Sequence, residues 1–596
     1  MIDYLSLALY GVPLVYVSTK VVSYLVWYFT TLNAAKRFGA SSPIPAVAVY
    51  TPRSSTIIWL SSPYFAPFFE ALPFGWGHWF KYVRMDFDWW YKCLHRTELK
   101  SDVFWTVGPG GPTLIVSDAD VVTEIAHRWK DFSKQTKPYR SLAVFGPNVV
   151  TSEGSTWQRH RKITSPPFNE KNSSLVFADS IAHGKAMIAS FTTDAEGNKS
   201  VPGDEPVVED LLHWTMTVTL HVLSGAAFSL SMPWPTKSIA TSSAHSTEEV
   251  TAQSTFKITQ KHTMSFQQSL DKLMEYLMYI ILFPSWFLRN SPIPILRKMQ
   301  DCADEFRTYM SELIADHQNS ESSRGDLLGS IVKATTIDEK ATWTEEETIG
   351  NIFVFILAGH ETTASTLQSA IILLACYPEY QQQVQSEIDS IWSTKKEGEE
   401  LTYDDYPKMR FIVALMLETL RAYPPLNLLP KHATDAQTFT YRGQTVYVPP
   451  NTDISIAIVS TQHNPLYWGP DPWEFRPSRW LMPPGYLPPP NTSNEAPAQD
   501  NILCPPKGAF LAFSAGFRAC LGKKFAQVEF CTLIAVLLKE YSVELVREGK
   551  DEKWEEARDK AMAKMFDRTS SIAVRMNEKV RVRFVRRGSE RFPVRA

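Results

Sequence analysis

The stretch FSAGFRACLG, residues 513–522, sets one cysteine, Cys520, between Gly516 and Gly522 and two residues after Arg518, just ahead of a long apolar run of helical period. The chain holds only six cysteines, so composition limits what this one can be. Cys93, Cys302, Cys376, Cys504, Cys520 and Cys531 are scattered without CxxC pairs, which argues against structural zinc and against a secreted disulfide framework. A reducing compartment fits best, and the sequons at Asn172, Asn198 and Asn491 then read as chance matches. The 596 residues are 44% hydrophobic and 21% charged with a formal net charge of -3. Such a chain can bury a large core and lacks the bulk basicity suited to nucleic acid.

The N-terminus differs in character. Residues 4–19 are uncharged and mostly apolar, Lys20 interrupts, and 21–33 resume with aromatic and β-branched residues before Lys36 and Arg37. This pattern predicts one membrane-spanning helix with the rest of the chain on the cytoplasmic side. A lysine at mid-bilayer would cost about 2.5–3.5 kcal/mol, which places Lys20 near an interface. A second aromatic-rich stretch, 57–83, is broken by Pro63, Pro67 and Pro73 and reads as surface-associated. The expected organisation is an anchor at 1–35, a membrane-proximal linker at 36–80 and one large domain at 81–596.

Periodicity predicts a mainly α protein with small β-sheets. Helical spacing dominates at 207–226, 264–287, 299–318 and through most of the second half, whereas 104–116 and 439–448 are β-like. Residues 229–260 and 481–506 read as exposed, mobile insertions. The longest helix starts at Thr344, capped by Glu347, and runs to Cys376 before Pro378. In its middle AGHETT, 358–363, places Glu361 and Thr362 on an otherwise apolar surface. Taken alone, such hydroxyls also suit a bent core helix in which each bonds the carbonyl one turn back. The next helix, 406–422, carries Glu418 and Arg421 at i, i+3 and stops before Pro424 and Pro425. Alone, that spacing suits an ordinary surface pair. FRPSRW, 475–480, supplies Arg479 as a third member of a charge network.

Taken in order, these motifs resemble the cytochrome P450 family over about residues 80–590. F-x-x-G-x-R-x-C-x-G is matched at Phe513, Gly516, Arg518, Cys520 and Gly522; A-G-x-E-T-T, E-x-x-R and F-x-P-x-R precede it, and W-x-x-x-R appears as Trp157 and Arg161. The resemblance implies the cytochrome P450 fold and haem b as cofactor, with Cys520 as the axial ligand of the iron. A thiolate ligand favours O–O cleavage. The N-terminus of the following helix, expected at 521–539, and its dipole would keep the sulfur charged. Gly516 and Gly522 would let the backbone pass close to the porphyrin, and Phe513 would pack on the thiolate side. Trp157, Arg161 and Arg518 would hold the propionates. Lys431 stands where relatives often have arginine, keeping the charge while losing the bidentate fork.

By the same resemblance, Glu361 and Thr362 take the acid and alcohol roles in relaying protons to oxygen, with a helix distortion at Gly359 making room for the gas. The expected activity is insertion of one oxygen atom of O2 into a hydrophobic small molecule. Electrons would come from a separate NADPH-cytochrome P450 reductase docking on Arg159, Lys162, Lys523 and Lys524. Residues 139–148, 353–357, 427–429 and 570–572 would wall a mostly apolar pocket suited to a terpenoid, polyketide or fatty-acid-like substrate. The anchor implies the endoplasmic reticulum membrane, and the length and insertions resemble fungal members serving specialised metabolism. Two alternatives stay open: an isomerase or dehydratase working without NADPH, and a non-catalytic haem sensor or electron carrier.

Overall fold

The computed structural model of the chain describes residues 12–49 and 67–591 with short breaks, the longest at 193–204, 235–261 and 483–501. Most of both expected insertions therefore lies outside the described residues. The helices that position the site are α1 (Val12–Ser41), α2 (Ala119–His127), α3 (Gly154–Thr164), α4 (Glu170–Thr192), α5 (Leu211–Phe228), α6 (Phe266–Leu282), α7 (Pro294–Asn319), α8 (Glu345–Cys376), α9 (Arg410–Ala422) and α10 (Lys523–Glu540). Residues 207–208, expected to begin a helix, instead form a short strand ahead of α5. The expectation at 264–287 resolves into α6 and a separate short helix, Ser285–Asn290, divided at Pro284.

The principal sheet has six strands: β1 (Ala46–Ala48), β2 (Val103–Gly108), β3 (Gly111–Val116), β4 (Ser133–Lys134), β5 (Leu428–Ala433) and β6 (Thr452–Ala457), in the spatial order β1-β2-β3-β6-β5-β4. The β-like run at 104–116 is thus a hairpin, with Val103 opposite Val116. Side chains of β2 alternate between two cores as strand geometry requires. Val103, Trp105 and Val107 join Phe132 and Ala35 on one face, while Phe104 meets Trp79, Phe80 and Tyr82 on the other. Within 57–83, Trp79, Phe80 and Tyr82 are buried in the domain, while Phe68 is exposed. Part of the expected linker is built into the domain, because β1 pairs in parallel with β2, Ala46 opposite Trp105. Among the described residues no helix is long and apolar enough to cross a membrane. Residues 4–11 of the expected span lie outside the described residues.

Helix α8 has 32 residues and crosses the domain for about 48 Å. Its start is fixed by a capping box: Thr344 Oγ1 accepts from the Glu347 amide at 3.2 Å, and Glu347 Oε2 accepts from the Thr344 amide at 3.1 Å. Such a cap contributes about 1 kcal/mol. The helix is unbroken at Gly359, contrary to the expected distortion. The missing side chain there admits Leu223 of α5, whose Cδ2 would lie 3.2 Å from an added Cβ.

Candidate active site

The cysteine loop is built from local hydrogen bonds. The Cys520 amide donates to Phe513 O at 2.8 Å and the Ala519 amide to Gly516 O at 3.0 Å, folding the loop back on itself ahead of α10. Gly516 has φ +65°, and a Cβ there would strike the Ala126 carbonyl of α2. Its freedom therefore serves the packing of the loop against α2. A second tie runs from Gln462, which accepts from the Leu511 amide at 2.9 Å and donates to Leu420 O and Arg421 O at 3.0 and 3.1 Å. The loop thus sits at a fixed height over α9.

Helix α9 is held by a buried charge cluster. Arg421 donates from Nε and Nη2 to the two oxygens of Glu418, each at 2.8 Å, with neither side chain exposed. Arg479 adds Nε to Glu418 Oε1 at 3.2 Å, and Trp480 donates its indole N–H to Oε2 at 2.9 Å. The remaining Arg421 donors reach Gln462 O, Pro472 O and Glu474 O. This expected network is present, with a tryptophan as an added member.

Cys520 is solvent-exposed on one side, while protein crowds it on the others. This desolvation pushes its thiol up, and the Gly522 amide, Arg161 and Lys523 pull it back only in part. Helix α10 begins at Lys523, two residues later than a sulfur at the dipole's first turn would need. The loop alone therefore does not favour the ionised sulfur. A coordinated metal ion does so outright, which fits an iron ligand.

Beside the loop, four cations converge. Arg161 on α3 donates Nη1 to Ala519 O at 2.9 Å. Arg518 lies with its guanidinium carbon 4.3 Å over the Trp157 ring and donates Nη2 to Ser152 O at 3.0 Å and to the Glu153 carboxylate. Lys431 on β5 stands opposite Lys134 on β4. Burial, with the Arg518 charge as a second cause, pushes Lys431 down to about 8 and Lys134 to about 7. Lys134 donates to Val150 O at 2.7 Å and covers the Tyr139 ring at 3.8 Å. Glu153 is the one carboxylate among these four cations that the described contacts pair with any of them. Such an excess of half-buried positive charge suits a ligand bearing two carboxylates, as haem does. Lys134 and Glu153 were not singled out from the sequence; the alternation of β4 and the position before α3 carry no signal without the fold.

Glu361 and Thr362 are neighbours whose side chains do not meet. Thr362 Oγ1 donates to Ala358 O at 2.7 Å, the back-bond that a core helix allows. The buried Glu361 carboxylate accepts from Arg575 Nε at 3.0 Å and Nη2 at 2.6 Å. Arg575 lies on a two-stranded hairpin, β7 (Arg568–Ser570) and β8 (Val574–Met576), whose turn at 571–572 is outside the described residues. Ala358 is exposed toward the open side of α8. Of the expected pocket walls, Phe353 is packed between Phe145 and Phe306, with ring centroids 4.8 and 6.1 Å away. Val149 donates its amide to Asn351 Oδ1 at 3.0 Å, fastening the 143–149 loop to α8.

A free cysteine in a tight loop, a cluster of cations suited to two carboxylates and a long helix bearing Glu361 and Thr362 together fit a haem-thiolate site. The sequence model of Cytochrome P450 matches residues 71–565. The chain is 30% identical to Cytochrome P450 monooxygenase 124 of Postia placenta, over 76% of this chain and 79% of that protein. It is 27% identical to a cytochrome P450 monooxygenase of Arthrobotrys oligospora, covering 94% and 96%. It is 29% identical to the phomenoic acid biosynthesis cluster cytochrome P450 monooxygenase of Leptosphaeria maculans, covering 75% and 76%. The fold matches the crystal structure of the cytochrome P450DA heme domain with a TM-score of 0.62 at 19% identity, over 92% of this chain and all of that one. The chain belongs to the cytochrome P450 family.

Proposed function

We propose that the chain is a haem b monooxygenase that inserts one oxygen atom of O2 into a hydrophobic small molecule of fungal specialised metabolism. The observation that carries this reading is the convergence of Arg161, Arg518, Lys431 and Lys134 beside the loop that carries Cys520. Haem, when bound, supplies the redox chemistry that activates oxygen. The chain's own groups do the rest. Arg161, Arg518, Lys431 and Lys134 would hold the two propionates, and Trp157 fixes the plane of Arg518. Thr362 can turn its hydroxyl from Ala358 O toward the cleft, and Glu361 lies one residue away to move protons inward from the solvent side of Arg575. Relatives named for fungal pathways, phomenoic acid biosynthesis in Leptosphaeria maculans and Ganoderic acid synthetase in Ganoderma lucidum, support a terpenoid-, polyketide- or lipid-like substrate.

Electrons would come from an NADPH-cytochrome P450 reductase. Of the four cations expected on its docking face, Arg159 is committed to Glu347 and Lys524 stacks over Tyr406 at 4.4 Å, whereas Lys523 is exposed beside the cysteine loop and is the strongest candidate. Membrane attachment through residues 4–33, with the domain on the cytoplasmic side of the endoplasmic reticulum, is part of the same reading. Two exposed apolar patches support it: Val22, Leu25, Val26 and Phe29 on α1, and Leu282, Trp286, Ile293 and Ile295 between α6 and α7.

The test is reconstitution of the full chain with a reductase. The reduced protein should give a red-shifted carbon monoxide band that Cys520→His abolishes, and product should form only with NADPH and O2. Product without NADPH would move the assignment to an isomerase or dehydratase. Haem with no turnover of extracts from the parent strain would move it to a sensor or carrier.

A further inference from the structure

Glu153 occupies the residue before α3, with extended φ and ψ of -136° and 169°. An acidic side chain there ordinarily turns back to the first free amides of the helix. Glu153 makes no such cap bond. Its carboxylate goes instead to Arg518 Nη2, which also donates to Ser152 O at 3.0 Å. With Trp157 lying 4.3 Å beneath the guanidinium, Arg518 is pinned at one nitrogen and in its plane. Its Nε and Nη1 have no partner among the described residues. The helix start has given up a local cap in favour of a contact 365 residues away, the pattern expected where function overrides local stability.

We propose that Glu153 is a positioning residue for the haem: it fixes Arg518 so that the remaining donors of its guanidinium face a propionate. The inference rests on the haem-thiolate reading above. Glu153 also brings a negative charge toward two others, so the opposing effect has to be weighed. Four cations face three carboxylates once haem is bound, which keeps the site attractive, and orientation of the fork decides the sign. Glu153, Trp157 and Arg161 lie on one continuous segment, so the piece that holds Arg518 is the piece that supplies the neighbouring propionate contacts.

The test uses the holoenzyme with Glu153→Ala and Glu153→Gln. Haem transfer to excess apomyoglobin should be about 10-fold faster or more in Glu153→Ala, in line with the 10–100-fold effects of residues that orient ligand-binding groups. The propionate-bending band in the resonance Raman spectrum should shift with it. Glu153→Gln keeps an acceptor without the charge and should fall between the two on both measures. Wild-type haem loss in Glu153→Ala overturns the proposal, and so does faster loss with an unmoved propionate band, which would mark a role in the helix start alone. A wild-type chain that carries no haem would sink the haem-thiolate reading itself.

Discussion

Glu361 and Arg575, 214 residues apart in sequence, meet at a single carboxylate oxygen, with Arg575 Nη2 at 2.6 Å and Nε at 3.0 Å from Glu361 Oε1. The arginine side chain is 45% exposed and the carboxylate 4%, so the pair spans the boundary between water and the interior of α8. Arg575→Gln should lower the ratio of product formed to NADPH consumed several-fold, with Arg575→Lys restoring part of it as a point charge without the fork. An unchanged ratio in Arg575→Gln would reduce the pair to a surface bridge.

Thr362→Ala should leave haem content, carbon monoxide binding and reduction by the partner intact, because the hydroxyl's hydrogen bond is solvent-exposed and runs to its own helix. NADPH consumption should continue while hydrogen peroxide replaces product. Peroxide and product measured together decide it, since wild-type coupling would show that Thr362 only back-bonds the helix.

Glu418→Ala would strand Arg421 and Arg479 without their carboxylate and leave the Trp480 indole N–H unpaired. Breaking a fully buried pair from one side costs about 3–5 kcal/mol. Haem-bearing protein should fall to a small fraction of the wild-type yield. Normal thermal stability and haem content in this variant would contradict the buried network.

The lysines of the cradle set a pH dependence. Burial holds Lys431 down to about 8 and Lys134 to about 7, so above these values a cradle without its anion has begun to lose protons. Binding two carboxylates favours the charged lysines and raises both values, so haem binding takes up protons between the lower and the higher value. Retention is therefore greatest at lower pH, and haem transfer to apomyoglobin should accelerate between about pH 7 and 9. Lys431→Arg, which does not titrate in this range, should flatten the upper part of the profile and leave the part set by Lys134. A wild-type profile flat from pH 7 to 9 would remove both lysines from the cradle.

Much of the site was legible because its chemistry depends on residue types at fixed spacing. Cys520, Glu418 with Arg421, and Trp157 with Arg161 each sit where the loop, α9 or α3 must place them. The fold class followed from periodicity, and the capping box at Thr344 fixed the start of α8. What was not legible depends on contacts between distant segments. Lys134 looks like any lysine until β4 is paired with β5, Glu153 looks like a poor helix cap, and Arg575 gains its meaning only when the hairpin folds over Glu361. The intact backbone at Gly359 was missed for the same reason: its requirement comes from Leu223 of α5, not from its own helix. Cys520 shows the opposite limit, since helix polarity suggested an ionised sulfur while crowding in the folded loop works against it.

The parallel pairing of β1 with β2 changes what trimming the N-terminus would do. Phe38 and Ser42, at the end of α1, bear on the Trp105 ring, Phe38 by a centroid distance of 4.9 Å and Ser42 by accepting its indole N–H at 3.1 Å. A cut before residue 34 leaves Phe38, Ser42 and β1 in place, at the loss of Tyr28, which packs on the Trp79 and Phe80 cluster, and of the buried Thr31. A cut at residue 50, the obvious choice for a soluble crystallisation fragment, would strip the border strand from the sheet. The open polar edge of β2 and the uncovered indole of Trp105 would then meet solvent, and the shortened chain would be expected to self-associate through the strand that β1 had protected.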